Sequence, residues 1–130
     1  MESAQTGTAT ERSLIAVVDD DESVRESLPD LIQEFGFAVN AFSSAEGFLA
    51  SDSVDRTCCL ILDIAMPGMS GLDLQRALQD RRLKIPIIFI TGQKDEAVRR
   101  RALDRGAVAF LFKPFSDTAL LEALNSAVRN

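Results

Sequence analysis

Histidine is missing from this chain of 130 residues. Its absence removes imidazole general-base catalysis, imidazole metal ligation and any Ser/His/Asp triad. Whatever chemistry the protein performs falls to carboxylates, lysine, hydroxyls or thiols. Cysteine is scarce: Cys58 and Cys59 stand side by side, in an apolar stretch that reads as a buried strand, where successive side chains point to opposite faces. The pair is expected as reduced core residues of a cytoplasmic protein. Excess positive charge is lacking too. With 14 Lys and Arg against 20 Asp and Glu, the formal charge is −6, which argues against direct nucleic-acid binding and makes a metal cation the more natural partner. No apolar run reaches bilayer-spanning length, so no membrane partner is expected, and residues 1–12 lack the basic-then-apolar order of a signal peptide. Those residues are expected as a disordered leader, and 13–130 as one domain, for which a hydrophobic content of 46% supplies a core.

What the chain does contain is a series of short apolar runs that end in polar residues. The central one, 58–62, is continuous, as suits a strand covered on both faces. It stops at Asp63, and Pro67, Gly68 and Gly71 postpone regular structure until a helix starts near Ser70 or Gly71. An earlier run, 14–18, ends in Asp19, Asp20, Asp21 and Glu22. A helix is predicted over 22–35, bent at Pro29 and closed by Gly36, with Val24, Leu28, Leu31 and Ile32 inward. Residues 37–42 read as an edge strand, and Ser43, Ser44, Ala45 and Glu46 as a capping box opening a short helix. A third helix over 71–82 places Leu74, Ala77 and Leu78 on one face.

The strand predicted over 87–90 ends at Thr91 and Gly92. A helix over 95–105 follows, its arginines paired with acids four residues earlier, Asp95 with Arg99 and Glu96 with Arg100. The last strand, 109–112, ends at Lys113 and Pro114. Ser116 then caps a helix with Leu120, Leu121, Leu124 and Val128 inward. Strands alternating with helices in this way predict an α/β fold: a doubly wound, five-stranded parallel sheet of order 2-1-3-4-5.

In that order the first and third strands are neighbours at the switch point, where ligands of such sheets bind. Asp19 and Asp20 then meet Asp63, with Thr91 and Lys113 arriving from the fourth and fifth strands. A lone strand-end Asp is most often a loop cap, and a lone Lys113 can simply neutralise acids; the case rests on the strand ends together. Like charges about 4 Å apart repel by roughly 4 kcal/mol at an effective dielectric near 20, so such acids need a cation or raised pKa values. Oxygen ligands without His or Cys suit Mg2+. With a metal on one side and the Lys113 ammonium and Thr91 hydroxyl on the other, Asp63 can carry a tetrahedral anion, the requirement of phosphoryl transfer.

The segments VVDDDES, LILDIAMPGMSG, IIFITG and AFLFKPF, in this order, resemble those of bacterial response-regulator receiver domains in two-component signalling. The resemblance covers about residues 14–128 and is nearest the subfamily that usually carries a helix-turn-helix output. It implies the flavodoxin-like receiver fold, with Asp63 as phosphoacceptor and Mg2+ held by Asp20, Asp63 and the backbone carbonyl of Ala65, Asp19 acting mostly through water. It further implies that Lys113 contacts the phosphoryl group, that Thr91 moves toward it, that Phe110 swings inward in response, and that the Lys113–Pro114 peptide is cis. Two positions depart from many relatives: Ala65 is small where a longer polar side chain is common, and Gln93 follows Thr91 by two. By the resemblance both tune access of water to the phosphoryl group.

The function so implied is a phosphorylation-activated switch of a phosphorelay. It takes its phosphoryl group from a sensor histidine kinase or a histidine phosphotransfer protein, assists its own modification, and changes the surface around its fourth helix, fifth strand and last helix, which a partner or a second phosphorylated copy reads. The enzyme-class rival is a Mg2+-dependent phosphohydrolase with an aspartyl nucleophile. Such enzymes usually place a second acid two residues after the nucleophile, where this chain has Ala65. A flavin module on the same fold needs a Gly/Ser/Thr-rich phosphate loop after the first strand, and Asp19, Asp20 and Asp21 repel phosphate instead. A module that never receives phosphate has no use for the intact set of Asp63, Thr91 and Lys113.

Overall fold

Alternation decides which side of the sheet each apolar residue serves. In a computed structural model describing residues 13–129, the apolar runs become β1 Leu14–Val18, β2 Ala38–Phe42, β3 Thr57–Asp63, β4 Ile87–Thr91 and β5 Ala109–Phe112. Between and after them come α1 Glu22–Glu34, α2 Ala45–Leu49, a 3-10 turn Val54–Arg56, α3 Gly71–Asp80, α4 Glu96–Asp104 and α5 Asp117–Arg129. The expected leader over 1–12 lies outside the described residues. All strand pairs are parallel, in the order β2-β1-β3-β4-β5. This is the 2-1-3-4-5 arrangement read from the sequence.

Ile15, Val17, Ile61, Ile88 and Ile90 form one face of the sheet and pack on Leu28 and Ile32 of α1 and Leu120 and Leu124 of α5. Ala16, Val18, Leu60, Leu62 and Phe89 form the other, against Phe48 of α2, Leu74 and Leu78 of α3, and Ala102 of α4. Helices on both faces are the reason β1, β3 and β4 have continuous apolar sequences, since past Leu14 and Cys58 at their amino ends neither side of these strands meets water. Each fully buried Leu, Ile or Phe contributes about 1.5–3 kcal/mol. The result is a stiff platform that fixes where each strand ends. Among the described residues no helix is long and apolar enough to cross a membrane.

Several local expectations are corrected. Cys58 is exposed and only Cys59 is buried, both as free thiols. The register explains it: Leu14 pairs with Thr57 and Ile15 with Cys59, so Cys58 is an extra residue on β3 with no partner on β1. Burial then pushes the Cys59 thiol up to about 12, with Cys58 adding to the effect. The capping box at Ser43 to Glu46 does not form. Ser44 alone caps α2 by accepting from the Gly47 amide at 3.0 Å, while Glu46 reaches the loop after β3 and accepts from the Met69 amide at 3.1 Å. A reciprocal box does open α3, between Ser70 and Asp73.

Asp95 is likewise spent as a cap, accepting from the Ala97 and Val98 amides, and Arg99 pairs with Glu96 three residues back at 3.5 Å. The helix expected across Pro29 forms as α1, continuous over Glu22–Glu34 with the proline inside it. α3 stops at Asp80 rather than 82 because the Leu83 amide turns back to the Leu78 carbonyl and the Arg82 amide to that of Gln79. α4 closes with the same pair of bonds, Ala107 to Ala102 and Gly106 to Leu103. Gly106 takes the left-handed conformation there at φ 103°, whereas α3 uses Arg82 at φ 59°.

Candidate functional site

Parallel strands deliver their carboxyl ends to one edge of the sheet, and the polar residues that stop the apolar runs collect there. Asp19 follows β1 and is 0% exposed; Asp63 is the last residue of β3 and 6% exposed; Thr91 ends β4 and is 3% exposed. Asp20 is open to solvent. Carboxylate oxygens of Asp19, Asp20 and Asp63 all lie within 4.8 Å of one another, which brings together the three acids expected from the sequence.

Backbone bonds hold this geometry. The Asp19 amide donates to the Phe42 carbonyl, the Ile64 amide to that of Ile90, and the Gly71 amide back to Ile64 at 2.9 Å, so α3 starts directly behind the end of β3. A Cβ on Gly71 would overlap the Asp63 carbonyl oxygen, so this close approach requires glycine. Asp21 caps α1 by accepting from the Ser23 amide at 2.9 Å, and its own amide donates to the Asp19 carboxylate at 2.9 Å.

Lys113 follows β5, and its Nζ contacts Asp19 Oδ2 at 2.9 Å. A carboxylate with no exposure needs such a counter-charge. Burial by itself would lower the Lys113 pKa, but the hydrogen bond and charge of Asp19, reinforced by Asp63 and Asp21, raise it instead. Asp63 moves far from the ordinary carboxylate range: burial, then the neighbouring Asp19 charge, push it up to about 7, against the opposing pull of Lys113 and the Ala65 amide. Like charges crowded in a half-dry site leave Asp63 short of compensation. The buried Asp19 and Asp63 and the exposed Asp20 beside them offer carboxylate oxygens as ligand atoms, a donor set that fits a small hard cation entering from solvent.

The remaining predicted residues lie near the acids without joining them. Thr91 stands one residue beyond Ile90, the register partner of Asp63, and its Oγ1 accepts from the Gln93 amide at 3.1 Å. Phe110 sits one strand further out, half-buried, with ring centres 6.0 Å from Phe89 and 5.5 Å from Phe112. Ala65 is exposed in the loop after Asp63, and Lys113–Pro114 is cis. Two supporting residues escaped the sequence reading. Arg25 donates to the Asp19 carbonyl at 3.0 Å, and Glu46 anchors the loop after β3 through Met69. A basic residue one helical turn past an acidic strand end was a usable signal for Arg25; nothing local marked Glu46.

A doubly wound sheet with an acid cluster at its switch point and a lysine on the last strand end defines the flavodoxin-like receiver class. The chain belongs to the response regulator receiver domain family, which matches residues 15–125. Members of this family are phosphorylation-activated switches of two-component systems and interact with kinases; the phosphohydrolase alternative is not favoured. The chain is 47% identical to nodulation protein W of Bradyrhizobium diazoefficiens over 119 residues, covering 92% of this chain and 52% of that protein. It is 44% identical to the transcriptional regulatory protein FixJ of Rhizobium meliloti over 113 residues, 87% of this chain and 55% of that one. The crystal structure of FixJ-N superposes with a TM-score of 0.83 at 40% identity, covering 92% of this chain and 96% of that one. The chain thus spans about half the length of the curated relatives it matches.

Proposed function

We propose that Asp63 is the phosphoacceptor, receiving its phosphoryl group from a phosphohistidine on a sensor histidine kinase or histidine phosphotransfer protein. A bond forms between an Asp63 carboxylate oxygen and phosphorus as the donor's N–P bond breaks, and the imidazole, already protonated on its other ring nitrogen, leaves as the neutral ring with the electron pair of that bond. The observation that carries this reading is the convergence of the buried Asp63 with Asp19, Asp20 and Lys113 at one strand edge.

Asp20, Asp63 and the Ala65 backbone carbonyl would hold Mg2+, with Asp19 acting mostly through water. Bound there, the ion supplies positive charge that favours the ionised, nucleophilic form of Asp63 and offsets charge on the transferring group. Lys113 neutralises a phosphoryl oxygen from the other side, and the Thr91 hydroxyl donates to another. In this sense the domain assists its own phosphorylation and dephosphorylation while its output is a change of shape. Thr91 moves toward the phosphoryl group, Phe110 turns into the space vacated, and the surface of α4, β5 and α5 is rearranged for a partner or a second copy to read. The domain makes no nucleic-acid or membrane contact of its own in this scheme, and it operates in the cytoplasm. Mass analysis after incubation with acetyl phosphate and magnesium tests the assignment. One added phosphate that disappears in Asp63→Asn is expected; a phosphate that persists in that variant would place the acceptor elsewhere.

A further inference from the structure

A cavity of about 590 Å³ opens at the amino ends of β4 and β5, at the end of the sheet away from the acids. Its size lies within the roughly 300–1,000 Å³ of small-ligand pockets. The walls include the carboxyl ends of α3 and α4, which are tied together by Gln75 Nε2 donating to the Ala102 carbonyl at 3.3 Å and Gln79 Nε2 donating to that of Arg105 at 2.7 Å. Leu78 and Ile87 are among the apolar residues inside, and the charged residues lining it are Arg82, Lys84 and Arg105. In a chain of formal charge −6, a cavity lined by cations and no acids is a local reversal of sign.

We propose that this cavity binds a small amphiphilic carboxylate, an apolar body carrying one anionic head, free in solution. The three cations are exposed, and none takes part in an ion pair among the described residues. Arg82 adds an independent argument. It occupies the left-handed position that ends α3, at φ 59°, where α1 and α4 use Gly36 and Gly106. An L side chain there carries a steric cost that glycine would not. The conformation sets a guanidinium, a fork suited to a carboxylate, among the residues lining the cavity. The occupant's apolar body would replace water against Leu78 and Ile87, and its head would remain among Arg82, Lys84 and Arg105. Because Arg105 and Gly106 terminate α4, the occupant would also fix the separation of α3 and α4.

The test uses decanoate below its micelle-forming concentration, with decanol as the neutral control and decyltrimethylammonium as the cationic one, read by amide chemical shifts on the whole chain. Saturable shifts confined to 75–87 and 105–108 are expected for decanoate, with weaker binding of the alcohol and none of the cation. Arg82→Gly combined with Arg105→Ala should weaken decanoate by about tenfold or more while leaving decanol binding and the circular dichroism spectrum unchanged. Equal affinity for decanoate and decanol would mark a plain apolar groove of the kind that receives a protein segment, and would overturn the proposal. Sedimentation with phosphatidylglycerol vesicles in place of saturable decanoate binding would overturn it as well.

Discussion

Asp63 is held with its pKa raised from 3.8 to about 7, first by burial and then by the charge of Asp19. The unfolded chain releases the proton near the lower value and the folded chain near the higher one. Below about pH 4 both states are protonated and the site costs nothing. As pH rises toward 7 the unfolded state gains from ionising while the folded state does not, so stability falls by about 1.4 kcal/mol per pH unit across that window. Above the folded pKa the loss levels off at something on the order of 4 kcal/mol. Asp63→Asn removes the titration and keeps the shape. In metal-free buffer the variant should therefore be more stable than the wild type, by a margin that widens by about 2–3 kcal/mol between pH 5 and pH 8. Because the chain has no Trp and no Tyr, urea unfolding is best followed by far-ultraviolet circular dichroism, with EDTA and a thiol reductant present. A margin that is the same at both pH values would refute the reasoning, since it would mean that the Asp63 carboxyl titrates alike in both states.

The acid cluster should respond to magnesium. At a free concentration ten times the dissociation constant, binding to the folded state adds about 1.4 kcal/mol; Asp20→Ala should raise metal-free stability and abolish that increment, and a wild-type transition unmoved by millimolar magnesium would discredit the metal site. Ala65→Arg, placed at an exposed loop position, should change the dephosphorylation rate by more than about threefold, a barrier change of ~0.7 kcal/mol; decay of the phosphorylated protein at the wild-type rate would count against control of water entry there. Beryllofluoride, a phosphoryl mimic, should alter amide exchange across 95–128, and Thr91→Ala should suppress the effect. Changes limited to the loop after Asp63 in the wild type would eliminate the route through Thr91 and Phe110.

The sheet and the convergence of Asp19, Asp20 and Asp63 were legible because both depend on local pattern and a topological rule. An apolar run that stops at an acid before Pro67 and Gly68 can hardly be anything but a buried strand reaching a loop. What escaped depends on register and on competition between local options. The exposure of Cys58 follows from its being the extra residue of β3, between Thr57 and Cys59, the partners of Leu14 and Ile15 on the neighbouring strand, and periodicity within β3 carries no trace of it. Asp95 had a helix amide and an arginine both in reach, and two charge-assisted backbone bonds outweigh one solvated ion pair. The partner of Lys113 was also open from sequence. Asp19 takes it because a fully buried carboxylate has the greater need of a counter-charge. Glu46 and Met69 meet across 23 residues, a separation that only the assembled sheet closes.

The close approach behind Asp63 has a genetic consequence. Gly71 lies eight positions beyond the proposed acceptor, far enough that a survey of alleles would file the two separately. Yet its amide is bonded to the residue after Asp63, and the space a side chain would need is filled by the Asp63 carbonyl. Every missense change at that codon adds at least one carbon, and the carbon must displace either the start of α3 or the end of β3. In a saturation library selected for signalling, the two positions should therefore share one tolerance profile, and an alanine at 71 should behave as a loss-of-function allele despite being the mildest substitution available.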